Sequence, residues 1–434
     1  MADHIDKRRR TLRAFAGLTT VALLFAACSS STGSAAPSGG AAAGGATTIR
    51  SNEHEKVPAA SVKAMVDYCT AKTGVTAPVA ITVHNDFQDQ FNTFMQGTPD
   101  DIVKWFTGER IRFPARNGLV TAIDDVWTTI APNFSEGFAK AANGDDGKKY
   151  AVPINAYPWV MLYRKSFFEK NGWTPPKTWD EFVTLAKKIK AAGIIPLAFA
   201  DKDGWPAQGT FDILNMRLNG YKFHADLLAG KEKWTDPKVQ DVFKKWAELL
   251  PYTQPDPLGR TWQEGAQAWA TNKAAMYFLG TFANEQVPPA DQADVDFFPF
   301  PTLGTKWDSE MGIDAPIDAW ILSKAPKNLP AAKAMLACFG TPEAQAKFVE
   351  LNPGQIAAVK NADTSKYTPQ QKKMAEIIGA SGGVAQYLDR DTRSDFAGKG
   401  GMQTLLQDFL KDPSQDLAAY TKKIQGVYDA LPKQ

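Results

Sequence analysis

Twelve tryptophans punctuate this 434-residue chain, and several fall at predicted strand ends or in loops rather than on helix faces. Trp105 ends an apolar run, Trp159 lies in an extended, proline-punctuated segment, and Trp205 follows Asp201-Lys202-Asp203-Gly204. Trp262 opens a short predicted helix and Trp320 begins a predicted strand. An indole face packs on flat C–H surfaces while its N–H donates one hydrogen bond. Polar candidates accompany the rings. Glu53 and His54 follow the first predicted strand, and Asn85 and Asp86 follow a strand over 79–83. The carboxyl ends of strands are where α/β sheets present groups to a ligand. Tyr387-Leu388-Asp389-Arg390-Asp391-Thr392 forms a charge-rich loop after Gly382-Gly383, and Tyr157, Phe282 and Asp314 complete the candidate set. Aromatic lining with a few convergent polar groups is the pattern of a small-molecule pocket. A sugar, with apolar ring faces and many hydroxyls, would use both kinds of group.

Each candidate also has a plainer reading. Trp234 and Trp246 fall at core positions, and Trp173 and Trp179 pack around a helix start. Trp105 and Trp320 fit either core or pocket. The charged loop at 387–392 could be a solvated turn, and the pairs Glu53-His54 and Asn85-Asp86 could be helix caps. Catalytic motifs fare worse. Gly379-Ala380-Ser381-Gly382-Gly383 has nucleophile-elbow spacing, but a Lys-rich helix precedes it and no His follows His224, whereas the motif needs a strand before it and a His after it. His54, His84 and His224 show no metal-ligand spacing, and no phosphate-loop signature occurs. The sequence therefore predicts no catalytic residue, no metal and no cofactor. Paired catalytic carboxylates need no local spacing, so a secreted glycoside hydrolase stays open as an alternative.

The elements that must position these residues begin after a targeting segment. Lys7, Arg8, Arg9, Arg10 and Arg13 precede an apolar run from Ala14 to Ala27, which ends at Cys28. Basic residues, a short apolar run and small residues before a break form a signal-peptide layout, and the run is too short to span a bilayer. Cys28 stands where bacterial lipoproteins are cleaved and acylated. Residues 29–46 carry no charge and almost no bulky side chain, so they read as a flexible tether. The leader 1–27 holds a net +3, and its removal turns the formal +2 of the chain into about −1. No basic stripe interleaved with aromatics remains, which argues against nucleic acid.

The remaining roughly 390 residues suffice for two cores. Val62, Met65, Val66 and Cys69 fall on one helical face with Gly74 as the stop. Strands are predicted at 79–83, 102–106, 160–163, 194–200, 274–279 and 319–322, alternating with helices. Thr178-x-x-Glu181 is a capping box. Asp236 caps another helix, and Thr341-Pro342 starts one near 341–351.

In this order the motifs resemble the sugar-binding proteins typified by maltose-binding protein. The densest stretch is KYAVPINAYPWVMLYRKSFFEKNGWTPPKTWDEFVTLAKKIK at 149–190. Asn272-Lys273-Ala274-Ala275-Met276, Phe298-Pro299-Phe300-Pro301, Thr341-Pro342-Glu343-Ala344-Gln345 and Asn352-Pro353-Gly354 follow in the family's order. The stretch Gly354-Gln355-Ile356-Ala357 departs from it by lacking a proline. The resemblance covers about 48–431 and implies an α/β, two-lobed periplasmic-binding-protein-like fold, each lobe a sheet flanked by helices, with a hinge between. It implies lobe 1 from 47–152 plus 312–352 and lobe 2 from 153–311 plus 353–434. It also implies capture of a carbohydrate in the inter-lobe cleft by a monomer, held on the outer face of the cell membrane through Cys28, and delivery to the permease of an ABC importer. A non-sugar solute, such as a polyol or phosphodiester, stays open as ligand. Cys69 and Cys338 fall on helices of the same implied lobe, as a disulfide or as two buried thiols.

Overall fold

A computed structural model describes residues 44–53 and 55–432, so the leader, Cys28 and His54 lie outside the described residues. Twelve strands follow in chain order: β1 (Ile49–Ser51), β2 (Val79–Ile81), β3 (Ile102–Phe106), β4 (Ala151–Ala156), β5 (Trp159–Arg164), β6 (Ile195–Ala198), β7 (Ala274–Gly280), β8 (Val295–Phe298), β9 (Ile313–Asp314), β10 (Ile317–Leu322), β11 (Ile356–Ala357) and β12 (Val384–Ala385). They build two main sheets, ordered β11-β4-β10-β3-β1-β2 and β6-β7-β5-β8, plus a short β12-β9 pair. Strands β3, β4, β5, β7 and β10 are buried along their whole length. Their near-continuous apolar runs are what a sheet covered by helices on both faces requires. The two-lobed α/β reading holds.

The chain leaves the first sheet after Ala156, passes Tyr157-Pro158 and enters the second at Trp159. It returns between β8 and β10, and β11 still belongs to the first sheet. Sheet membership thus runs past residues 152 and 352, to Ala156 and Ala357. The register between β10 and β4 slips between Asp318 and Ala319, opposite Pro153. Proline cannot donate to the ladder, so a bulge there is its natural place. The bulge falls beside Asp318, which lines the cavity described below.

The helix starts follow the cues. Thr178 and Glu181 form the capping box, Asp236 accepts from the Lys238 N–H at 2.8 Å, and Thr341 caps Pro342–Glu350. Val83 precedes a helix at His84–Gln96 instead of ending a long strand, so Asn85 and Asp86 sit in a first helical turn. Cys69 and Cys338 are joined by a disulfide that ties helix Lys56–Thr73 to helix Leu329–Phe339. Among the described residues no helix is long and apolar enough to cross a membrane.

Candidate functional site

A cavity between the two sheets takes one wall from the first sheet and its helices. Asn52 and Glu53 follow β1, Asp318 lies on β10, and His84 and Gln88 stand on helix His84–Gln96. The amide nitrogens of Asn52 and Gln88 approach the two ring nitrogens of His84 at 3.2 and 2.7 Å. Behind this wall the fully buried Lys104 of β3 pairs with Glu53 and, at 3.1 Å, with Asp318. Burial alone would lower the Lys104 ammonium, but the two carboxylates outweigh it and raise its pKa. Burial likewise pushes Asp318 up, and Lys104 and Arg390 more than reverse it, so Asp318 stays ionised. Arg390 donates to Asp318 at 3.0 Å and to the Tyr157 hydroxyl at 2.8 Å. Its guanidinium lies 4.0 Å from the Phe106 ring centroid. Arg110 donates to the Asp389 carboxylate at 3.0 Å and to its carbonyl at 3.0 Å. Every cation here has a carboxylate partner, so the site favours a neutral ligand over an anion.

The opposite wall is aromatic and comes from the ends of the second sheet. Trp159 begins β5, Trp205 follows β6, Trp262 starts helix Trp262–Ala270, and Phe282 follows β7. Trp159 and Trp205 meet edge to face at 6.2 Å, and Trp262 and Phe282 do so at 5.3 Å. Edge-to-face pairs of this kind hold rings in fixed orientations. Tyr387 stacks on Trp159 at 5.0 Å and donates its hydroxyl to the Trp205 carbonyl. It does so from a backbone φ of 97°, a strained value for a bulky residue that survives where surrounding contacts fix it. Gly209 leaves the room for the Trp159 indole, since a Cβ there would meet the ring at 2.4 Å. Glu285 also lines the cavity and accepts from Asn352 at 3.1 Å. Burial, and then the nearby Glu53, raise its carboxyl well above the usual range, so it is a neutral acid that can donate.

Six buried polar atoms without a hydrogen-bond partner among the described residues belong to residues that line this cavity. The acceptors are on Asn52, Gln355 and Asp389, and the donors are Nε1 of Trp159, Nε1 of Trp205 and Nε of Arg390. Residues 53–346 match the family described as bacterial extracellular solute-binding protein. The chain belongs to this family. Its fold is similar to the solved structure of the bacterial solute receptor AcbH, described with an exclusive substrate preference for β-D-galactopyranose. The two are 39% identical with a TM-score of 0.87, over 89% of this chain and 98% of the other. An uncharacterized ABC transporter extracellular-binding protein of Pyrococcus horikoshii, PH1214, is 29% identical over 66% of this chain and 64% of its own length. The diacetylchitobiose binding protein NgcE of Streptomyces coelicolor is 28% identical over 66% of this chain and 65% of its own length. The chain thus spans between 42% and 65% of the length of the curated relatives it matches.

The cavity of this solute-binding protein gathers nine of the residues singled out from the sequence: Glu53, Tyr157, Trp159, Trp205, Trp262, Phe282, Tyr387, Asp389 and Arg390. The others are placed elsewhere. Trp105 stacks on Phe91 at 3.6 Å inside the first core and donates to the Arg110 carbonyl. Trp320 is buried against Phe339 at 5.2 Å. Both belong to strands covered on both faces, so their rings fill core. Asn85 donates to Asp203 at 2.8 Å, and Asp86 is exposed in the first turn of its helix. Asp314 is fully buried away from the cavity, beside Asp212 and His224. His84, Gln88, Glu285, Asp318 and Gln355 line the cavity without having been singled out as ligand contacts. Two signals could have revealed part of this. Lys104 and Asp318 interrupt otherwise apolar strands, and a charge buried in such a strand requires a partner.

Proposed function

We propose that the chain captures one sugar ring in this cavity and hands it, chemically unchanged, to the permease of an ABC importer. The observation that carries the reading is the set of buried donors and acceptors without hydrogen bonds around an aromatic wall, of which only Arg390 Nε and Asp389 Oδ1 face each other, at 3.8 Å. An unsatisfied buried polar group costs about 1–3 kcal/mol, and a sugar hydroxyl both donates and accepts, so it can serve either kind. The cavity volume open to the centre of a water molecule is about 90 Å³. One water needs roughly 10–15 Å³ by that measure, so the space holds several waters. That suits a monosaccharide better than a chain of rings. The likeness to AcbH, at 39% identity, makes galactose the first ligand to try.

In this reading Trp159, Trp205, Trp262 and Phe282 stack on the ring, and Asp389, Asn52 and Glu53 bind its hydroxyls. The lobes are 47–156 with 317–357 and 159–314 with 358–432, and ligand binding raises the closed population because both lobes touch it. The protein works as a monomer tethered through residues 28–46 by lipid on Cys28, on the outer face of the membrane. Cys28→Ala should leave it soluble or unprocessed, and a cleaved, membrane-bound variant would remove the anchor from the proposal.

The direct test is thermal-shift titration with galactose, glucose, mannose, lactose, glycerol and glycerophosphodiesters. A sugar at about 100 times its Kd should stabilise the protein by about 2.7 kcal/mol. Stabilisation by a phosphodiester or polyol and by no sugar would replace the reading, and products released from lactose would make the protein a hydrolase.

A further inference from the structure

Beneath the cavity lies a second cluster that the capture of a sugar does not use. Asp212 stands on helix Pro206–Asn219, His224 on the next helix Tyr221–Leu228, and Asp314 at the end of β9. All three are fully buried. One ligand atom from each lies within 4.8 Å of the others, and His224 Nε2 is 3.7 Å from Asp212 Oδ1. Four atoms of this cluster have no hydrogen-bond partner among the described residues: Asp212 Oδ1, both oxygens of Asp314, and His224 Nε2. A wholly buried imidazole thus presents an unpartnered nitrogen to two carboxylates. We propose that Asp212, His224 and Asp314 bind one divalent transition-metal cation, Zn²⁺ in the first instance.

The chemistry of the set fits that class of ion. Two carboxylates and a neutral imidazole bind Zn²⁺ at about 2.0–2.2 Å, which puts ligand atoms roughly 3.3–3.6 Å apart, within 1–2 Å of their present spacing. Burial first, and then the neighbouring carboxyls, push Asp212 and Asp314 well above the usual carboxylate range, so a divalent cation would displace their protons and balance the two charges it creates. Arg217 offsets part of the rise at Asp314 from a distance, but its hydrogen bonds go to the carbonyls of Phe300 and Gly312. Burial lowers the His224 imidazole to about 3, which keeps it neutral and able to ligate.

The outer atoms are already held, as second contacts hold most metal ligands. Asp212 Oδ2 accepts the Leu388 N–H at 2.7 Å, and His224 Nδ1 faces the Asn215 carboxamide at 3.2 Å. Turning the Asn215 and Asn219 carboxamides end for end, at the loss of the Asn219 donation to the Lys238 carbonyl at 3.3 Å, lets the Asn215 oxygen accept an Nδ1 proton, which frees Nε2 for the metal. The ion would join helix Pro206–Asn219, helix Tyr221–Leu228 and β9, and through the Leu388 N–H on Asp212 it would steady the turn Leu388–Asp391, which carries Asp389 and Arg390 into the cavity. It would fix the floor of the site without touching the sugar.

The test uses the full chain in detergent, without a polyhistidine tag, produced with added Zn²⁺. Elemental analysis should find close to one zinc per chain, and less than a tenth of that in Asp314→Asn and in His224→Gln. Stripping the wild type with a chelator at elevated temperature should lower its melting temperature by several degrees, and Zn²⁺ should restore it. Neither variant should respond. A wild type that holds neither Zn²⁺ nor Mn²⁺ and melts unchanged when they are added overturns the proposal and leaves a pair of protonated carboxyls. Zinc retained in both variants overturns it too, by placing the metal elsewhere. Because the wild-type measurement stands alone, a variant that fails to fold does not blunt the test.

Discussion

The aromatic residues of the two sheets have opposite fates. In the six-stranded sheet Trp105 and Trp320 are buried among apolar neighbours, and that sheet meets the cavity with Asn52, Glu53 and Asp318. In the four-stranded sheet the rings gather at strand ends, where Trp159, Trp205 and Phe282 reach the cavity. One wall offers charge and amides, the other offers flat faces. The contrast follows from position along a strand. Trp320, in the middle of a strand covered on both faces, has no route to a ligand, and Trp105, near the end of β3, is capped by Phe91, while an uncapped ring at or just past a strand end has one. Recognition of a molecule with two apolar faces and a polar rim needs both walls at once, so neither lobe alone should bind well.

The largest expected effect breaks the first side of this comparison. Trp320→Ala should cost about 3–5 kcal/mol of folding stability, the usual result of emptying a buried tryptophan site. The affinity of the surviving folded protein should stay within about threefold. A large affinity loss with little change in melting would return Trp320 to the ligand site. Next in size is the link between Cys69 and Cys338, which spans 269 residues of chain. Reduction, or Cys338→Ser, should remove about 2–4 kcal/mol. Thiol labelling of denatured, unreduced protein should find neither cysteine reactive.

Trp205→Ala tests the second side. Loss of a stacking ring should weaken sugar binding by about 1.5–3 kcal/mol, at least tenfold, while the ligand-free melting temperature moves little. Trp205 is only partly buried, and its neighbours Trp262 and Phe282 can close over part of the gap. Early melting with unchanged affinity would make it a core residue like Trp320.

The fold was largely legible because its signals are local and repeated. Alternating apolar runs, Thr178 with Glu181, Asp236 and Thr341 with Pro342 each named an element that the structure contains. The cavity was legible only where chain geometry and chemistry coincide. Trp205 sits in a loop bounded by Gly204 and Pro206, which marks it from sequence. Trp105 also lies near a strand end, yet Phe91 from the preceding helix His84–Gln96 covers it, and no local signal announces that contact. Asp318 escaped for the same reason: its partners Lys104, Tyr157 and Arg390 are scattered along the chain. Ion pairs assembled by topology leave only a lone charge in an apolar run as their trace.

The smallest expected effect concerns a residue first read as a ligand contact. Asn85 reaches from helix His84–Gln96, in the first-sheet half, to Asp203 in the loop after β6. That loop carries Trp205, and Asp203 also accepts the Trp262 N–H at 2.9 Å. The bond therefore spans the two walls and ends on the stretch that positions two of the rings. Burial raises the Asp203 carboxyl, and hydrogen bonds from Trp262 and Asn85 offset part of that rise. A bond made only when the walls meet favours the closed form by its own net worth, about 0.5–1.5 kcal/mol. Asn85→Ala should thus lower affinity by roughly two- to tenfold, through a smaller closed population, with little change in ligand-free melting. Asn85→Asp should do more, because it sets two carboxylates face to face. A loss beyond a hundredfold for the alanine variant would make Asn85 a direct ligand contact after all. No loss for either variant would mean that closure does not depend on this bond, and that the two walls are brought together by the sugar alone.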